Sequence, residues 1–370
     1  MAKRGVFRKI VKVLIVIALI ASVFMYPQWW KRQWNKIPGM YYVAQGDKYL
    51  RKAKFQKAID EYKHGLALFP NHYEAWFNLG NIYVVYEDYY SAIDAYSNAI
   101  KYNPNYVLAR MNYGIVASEK LGDFDGAIEQ YDKIIGIRRR LVYIPFVFSN
   151  LRSYKQNIGL AYYNKGVAYR QKSTYLDNKP EDKQVYLQKA IGAYQEAVKI
   201  LKNDYDARYN LALAYHLNGD YNLAGLTYCK AIELEPMNYE AHYNLAVLLN
   251  HLRYFKEALK EMHKANTIIT SKGGSANQTR YVFDIMNDVT RSILKDNDAL
   301  KYMEEEINKE EKEFNSGVTY VNGKVVATED LDKAMIKNFQ TCAAKSIFRD
   351  EDNLDEDETG ENKKASDDDF

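Results

Sequence analysis

Apolar and small residues recur along this chain every three or four positions, on stripes separated by short polar breaks, which is the signature of paired amphipathic helices. In residues 73–106, Trp76, Leu79, Gly80 and Tyr83 share one stripe. Ala92, Tyr96 and Ala99 share a second, and Pro104 follows. Proline lacks an amide proton and clashes with the preceding turn, so the second helix ends there. Gly80 and Ala92 are small where the two helices approach most closely, and Trp76, Tyr83 and Tyr96 fill the space to either side. The pattern predicts two antiparallel helices.

The same arrangement returns with a 34-residue period. Residues 205–238 present Leu211, Ala212, Tyr215, Ala224, Tyr228, Ala231 and Pro236. Residues 239–272 present Leu245, Ala246, Leu249, Ala258, Met262 and Ala265. A period of this length marks a solenoid in which each helix pair buries its apolar face only against its neighbours. The positions W-x2-L-G-x2-Y, A-x3-Y, A and P are those of the tetratricopeptide repeat (TPR) family, which the chain resembles. Weaker copies contain Gly46, Tyr49, Ala58, Tyr62, Gly65 and Pro70, and then Gly114, Ala127 and Tyr131. A split copy has Tyr162, Gly166 and Tyr169, followed by Ala190, Tyr194 and Ala197 about twelve residues later than the period requires. Its extra polar segment, residues 173–185, is expected to bulge as a surface loop.

The expected fold class is all-α: a TPR superhelical solenoid of about six helix pairs, with one N-terminal transmembrane helix and a C-terminal helical cap bearing a small β-hairpin. Residues 1–36 form the basic N-terminus and anchor, 39–140 repeats 1–3, and 141–158 a connector. Repeat 4 with its inserted loop covers 159–202, repeats 5–6 cover 205–272, the C-terminal helices and hairpin 280–348, and an acidic disordered tail 350–370.

The anchor expectation rests on residues 10–26, apolar except for Lys12 and Ser22. At about 1.5 Å per residue this run spans roughly 26 Å, close to a ~30 Å hydrocarbon layer. Tyr26, Trp29, Trp30 and Trp34 would supply an aromatic belt, and Lys3, Arg4, Arg8, Lys9 and Lys12 place the N-terminus in the cytoplasm. A cleaved signal would need small residues near the end of the run, where Val23, Phe24, Met25 and Tyr26 stand instead. The repeats are then expected on the outer side of the inner membrane, periplasmic or extracytoplasmic.

Charge changes the picture only at the ends. The net +3 conceals a tail, residues 350–370, with eleven Asp or Glu against two Lys. Such a segment reads as solvated and disordered. The repeat body is mildly basic without an arginine stripe, which argues against nucleic acid as a partner. Cys229 and Cys342 lie far apart on predicted helices; Cys229 beside an apolar stripe reads as a small buried thiol, and no disulfide framework is implied. No phosphate loop, zinc motif or nucleophile elbow is present in the sequence, so neither catalysis, a cofactor, a metal nor a small-molecule substrate is expected. His216 and His251 lack the further ligands that a metal requires.

The candidate site is the groove lined by the first helices. Asn78, Asn112, Asn164, Asn210 and Asn244 hold one position, two before the small residue, in five consecutive repeats. Each offers a donor and an acceptor to the backbone of an extended peptide; the alternative is that each bonds only to the neighbouring repeat. Phe77, Met111, Tyr163, Tyr209 and Tyr243 lie beside them as an aromatic or soft apolar stripe that anchors partner side chains or serves ordinary packing. The two-carboxylate clamp of chaperone-binding TPR domains is matched only at Asn78, since Val43, Asp47, Leu108 and Asn112 stand at its other positions. Around Pro145 the period breaks, and residues 141–148 are expected to plug the joint between two blocks or to present a partner patch. Residues 280–294 and 299–314 read as capping helices, residues 318–327 as a hairpin turning at Asn322-Gly323, and 328–348 as a last helix. The resemblance implies a membrane-anchored scaffold or adaptor that binds proteins or peptide segments in its groove and helps assemble an envelope complex, such as a secretion, cell-wall or flagellar motor collar assembly. The alternative is a regulatory or substrate-presenting subunit of a membrane-associated enzyme.

Overall fold

A computed structural model describes residues 11–13, 15–16, 21–137, 148–175, 180–271, 291, 301, 320–321, 324–325, 339–342 and 344–348. The chain divides into two compact units, residues 1–143 and 144–370.

Unit 1 contains α1 (Pro27–Leu50), α2 (Phe55–Leu68), α3 (Tyr73–Val85), α4 (Tyr89–Tyr102), α5 (Val107–Lys120) and α6 (Phe124–Ile135). They pack as antiparallel pairs α1/α2, α3/α4 and α5/α6, each joined to the next through α2/α3 and α4/α5. Unit 2 repeats the plan with α7 (Phe148–Tyr175), α8 (Pro180–Ile200), α9 (Tyr205–Asn218), α10 (Tyr221–Leu234), α11 (Tyr239–His251) and α12 (Phe255–Ser271). Here α9 also touches both α7 and α11, so the first helices of successive pairs form a layer of their own. Short acidic caps start several helices. Asp88, Asp123 and Asp204 accept from the backbone N–H of Ser91, Gly126 and Ala207 at 3.2, 2.9 and 2.8 Å. Gly219, at φ 89°, ends α9 in the left-handed conformation that a side chain disfavours.

One contact recurs inside the pairs. A Cβ added to Gly46, Gly80, Gly114 or Gly166 would lie 2.6–2.7 Å from the ring of Tyr62, Tyr96, Tyr131 or Tyr194 respectively. All four rings are buried, at 1% exposure or less. In the last two pairs the small residue is Ala212 or Ala246, and the buried partner position holds Tyr228 or Met262. The helix spacing is therefore set by a small residue on the first helix facing a large one on the second.

Several expectations are corrected. The fourth repeat's expected loop over 173–185 is not seen at its ends: residues 173–175 and 180–185 belong to α7 and α8, which are 28 and 21 residues long, and residues 176–179 lie outside the described set. Among the described residues no helix is long and apolar enough to cross a membrane, so the expected transmembrane helix is not found there. Residues 1–10, 14 and 17–20 lie outside the described set. The helix that follows, α1, includes Lys31, Arg32, Lys36, Asp47 and Lys48, too charged a face for hydrocarbon, and it runs through the expected domain boundary at residues 36–39. Of the expected β-hairpin, the described residues show two strands of two residues each, Tyr320–Val321 and Lys324–Val325, paired antiparallel; residues 318–319, 322–323 and 326–327 lie outside the described set. The connector 138–147, most of 272–338 and the tail 349–370 lie outside the described residues.

Cys229 is not a free thiol. It is bonded to Cys342, 113 residues further on. Around the disulfide, Lys345 pairs with Glu233 at 2.6 Å, Gln340 donates to the Glu233 carbonyl at 3.3 Å and Lys264 donates to the Thr341 carbonyl at 2.6 Å. Phe339 meets the His242 ring edge-on, and Phe348 lies so close over Gly225 that no Cβ fits there. The segment from Phe339 to Phe348 thus straps α10, α11 and α12 together.

Candidate protein-binding site

The joints between repeats are built from two series of side chains on the first helices. The first occupies the tryptophan position of the motif. Trp76 Nε1 donates to the Pro70 carbonyl at 2.8 Å, and Arg110 Nε donates to the Pro104 carbonyl at 2.8 Å. Arg208 donates to the Lys202 carbonyl at 2.5 Å, and His242 Nε2 lies 3.0 Å from the Pro236 carbonyl. A carbonyl only accepts, so His242 Nε2 carries a proton. Four different residue types thus do one job: each places an N–H on the carbonyl six residues earlier, tying a first helix to the end of the preceding pair. Sequence reasoning missed this, though the signal was legible as a nitrogen donor recurring six residues after proline or its equivalent. At His242 the other ring nitrogen meets Glu261 Oε2 at 2.6 Å, both side chains fully buried, and Lys264 holds the second Glu261 oxygen at 3.1 Å.

The second series is the asparagine ladder. In unit 1, Asn78 Nδ2 donates to Asp47 Oδ1 and to the Tyr62 hydroxyl, both at 3.3 Å, while Tyr62 donates to Asp47 at 2.6 Å. Asn112 Nδ2 donates to Asn81 Oδ1 at 2.9 Å, which also accepts from Tyr96 at 2.8 Å. In unit 2, Asn210 donates to the Tyr163 hydroxyl at 3.3 Å and the Asp206 carbonyl at 2.9 Å. Asn244 donates to the Tyr209 hydroxyl at 2.7 Å and the Glu240 carbonyl at 3.1 Å. The amide donors of these four residues are therefore engaged by the preceding repeat and, in unit 2, also by their own helix. Each amide oxygen is an acceptor by its chemistry; Asn78, Asn112 and Asn244 are half-buried, whereas Asn210 is buried. Asn164 stands at the same register position on α7.

The aromatic stripe divides its duties. Phe77 packs on Tyr96 and Tyr106, and Tyr163 on Tyr194, at ring separations of 5.9, 5.3 and 6.0 Å. Tyr209 stacks on Tyr205 at 5.7 Å and tilts against Tyr228 at 6.1 Å. Tyr243 packs on the cluster of Ala246, Met262 and Ile269, and Met111 is buried. Burial pushes the Tyr96 and Tyr209 hydroxyls up to about 12, so these groups stay protonated donors at physiological pH. Between α3 and α5 an open cleft of about 210 Å³ is lined by Asn81, Val84, Tyr96, Asn112, Ile115 and Val116. Its mix of apolar walls and amide oxygens suits a side chain of an extended segment.

In unit 2, Asp206 and Glu240 hold equivalent positions on α9 and α11. Burial, and then neighbouring carboxylates, push both above the ordinary range. No group of three or more metal-ligating side chains occurs among the described residues. His216 instead meets the edges of Tyr221 and Tyr228, and His251 meets Tyr221.

Tetratricopeptide repeat models match residues 43–85, 73–106 and 193–225. The chain carries TPR repeats. As a TPR chain it is an all-α scaffold suited to protein–protein contact. No curated protein sequence matches it. Among solved structures it is similar to "Crystal structure of MamA protein" at 23% identity, over 54% of this chain and 92% of that one, with a TM-score of 0.42. It is similar to "PilW, widely conserved type IV pilus biogenesis factor" at 14% identity over 66% and 98%, TM-score 0.47. It is also similar to "YrrB: a TPR protein with an unusual peptide-binding site" at 18% identity over 58% and 90%, TM-score 0.39. At these scores the likeness says nothing of function.

Proposed function

We propose that this chain is a TPR adaptor that grips an extended segment of a partner protein along its first helices and has no chemistry of its own. One observation carries this reading. In unit 1 the Asn78 and Asn112 donors are consumed by the joints, and Asn112 lines the open cleft at Ile115, an arrangement that offers an amide acceptor to a backbone N–H and a recess to a side chain. Its setting is an oxidising compartment outside the cytosol, because the Cys229–Cys342 bond persists where thiols are not held reduced. In that compartment the adaptor contributes to assembly of a multiprotein envelope complex.

The test places a photo-crosslinking residue at Ile115, in the cleft, and separately at the exposed Ser97 on α4, in cells expressing the full chain. Capture of a defined partner from Ile115 and not from Ser97 is the expected outcome. Equal capture from both positions, or none from Ile115, overturns the reading.

A further inference from the structure

The helix pairs complete the same joint differently, and the difference leaves polar groups in unit 2 without their counterpart. In the first two pairs of unit 1 the residue after the close-packed glycine is Asp47 or Asn81, and it accepts the proton of the buried tyrosine at 2.6 or 2.8 Å; in the third it is Ile115, and Ser118, one turn on, meets the Tyr131 hydroxyl instead. In unit 2 the equivalent residues are Val167, after Gly166, and Leu213, after Ala212. Neither side chain accepts a hydrogen bond. Accordingly the Tyr228 hydroxyl, in a side chain at 0% exposure, has no partner, and the equally buried Tyr194 hydroxyl has no acceptor, only the guanidinium of Arg170 beside it.

One turn after Gly166, on the same face of α7, stands Arg170. Its Nε is buried and likewise without a partner. Its guanidinium is close enough to act electrostatically on Tyr163, Tyr194, Tyr209 and Tyr228. The side chain is half-buried, so its outer edge meets solvent. Among the described residues no carboxylate pairs with it: Asp206 and Glu240 respond to burial and to other carboxylates, not to Arg170. The Tyr163 and Tyr209 oxygens accept from Asn210 and Asn244, which leaves their hydroxyl protons available to a ligand. Among the described residues the cluster is thus a cation with tyrosine hydroxyls in its field and no carboxylate to accept from them.

We infer that Arg170, with the hydroxyls of Tyr163, Tyr194, Tyr209 and Tyr228, is a binding site for a carboxylate delivered by a peptide segment. Unit 1 shows the chemistry that fits, since the Asp47 carboxylate accepts from a buried tyrosine and an asparagine at the equivalent joint. The carboxylate docks on the outer edge of the Arg170 guanidinium, and the tyrosine hydroxyls turn their protons toward it. This inference rests on the adaptor reading and adds an acidic group to the description of the partner. The carboxylate comes from another protein or from this chain's own acidic stretch, residues 350–370, which holds eleven Asp or Glu.

The test titrates the full chain, and a version ending at residue 349, with blocked pentapeptides followed through the arginine Nε–H resonances. The probes are acetyl-Ala-Ala-Asp-Ala-Ala-amide, its Asn counterpart, and acetylated penta-alanine with a free C-terminus. A shift at Arg170 with the Asp peptide and none with the Asn peptide supports the site, and the free-terminus peptide tells a side-chain from a terminal carboxylate. Affinity that rises when residues 350–370 are removed supports it too and names the tail as the resident source. Arg170→Gln is expected to weaken binding at least tenfold with helicity unchanged, and Arg170→Lys to restore part of it. Tyr194→Phe and Tyr228→Phe are each expected to weaken binding a few-fold. Equal affinity in wild type and Arg170→Gln, or no response to any carboxylate probe in the shortened chain, overturns the inference. If Ile115 still captures a partner when Arg170→Gln changes nothing, the adaptor reading stands and only the carboxylate site is lost.

Discussion

His242 shows how much a single side chain is asked to do in this repeat. It replaces the motif tryptophan, keeps that residue's N–H contact to the preceding carbonyl, and adds a fully buried contact to Glu261. A buried charge that loses its partner is costly, whereas exchanging the whole pair for apolar residues is often neutral. His242→Leu is therefore expected to lower stability by about 3–5 kcal/mol, because the buried Glu261 carboxylate loses its contact to the imidazole. The double replacement with Glu261→Leu is expected to recover most of the loss, a coupling that urea denaturation of the four-member mutant cycle measures. Additive losses would show that the two side chains act separately.

At the scale of the helix pair, the glycine–tyrosine contact fixes spacing. Gly114→Ala improves helix propensity by up to about 1 kcal/mol but drives a Cβ against the Tyr131 ring, and overpacking of this kind costs about 1–3 kcal/mol. A net loss of stability is expected by denaturation, and combining it with Tyr131→Leu should remove the penalty. A stabilised single mutant would mean that the pairs tolerate a wider gap. This element was legible in the sequence, because small and large residues alternate at fixed positions from Gly46 and Tyr62 to Ala246 and Met262. The length of α7 and α8 was not: residues 173–175 and 180–185 include Ser, Thr, Pro and charged types, yet they lie on helices, so composition did not separate helix from loop. The asparagine ladder was legible as a ladder, but its direction was not. Which of two amide atoms faces the neighbouring repeat depends on whether that neighbour offers Asp47 and Asn81 or the hydroxyls of Tyr163 and Tyr209. The pairing of Cys229 with Cys342 stayed hidden for a related reason, since nothing local in the sequence brings residues 113 apart into contact.

Across the whole molecule, the 34 tyrosines make stability depend on alkaline pH. Burial raises Tyr96, Tyr106 and Tyr209 to about 12, and Tyr194 and Tyr228 also rise. In the unfolded chain these groups ionise near pH 10, so above that value the unfolded state releases protons that the folded state retains. Their contribution is intact below about pH 10 and is lost as pH climbs toward 12. Denaturation midpoints should accordingly hold steady to about pH 10 and then fall. Tyrosinate absorbance should include a late phase, toward pH 12, from the buried rings. A single phase near pH 10 would mean that the interior rings are accessible.

The cystine between α10 and the strap closes a covalent ring around α11, α12 and everything up to Cys342. A protease that cuts once anywhere inside that ring produces two polypeptides that still travel as one molecule. The break becomes visible on a gel only after a reductant is added, so a single cut there releases neither piece.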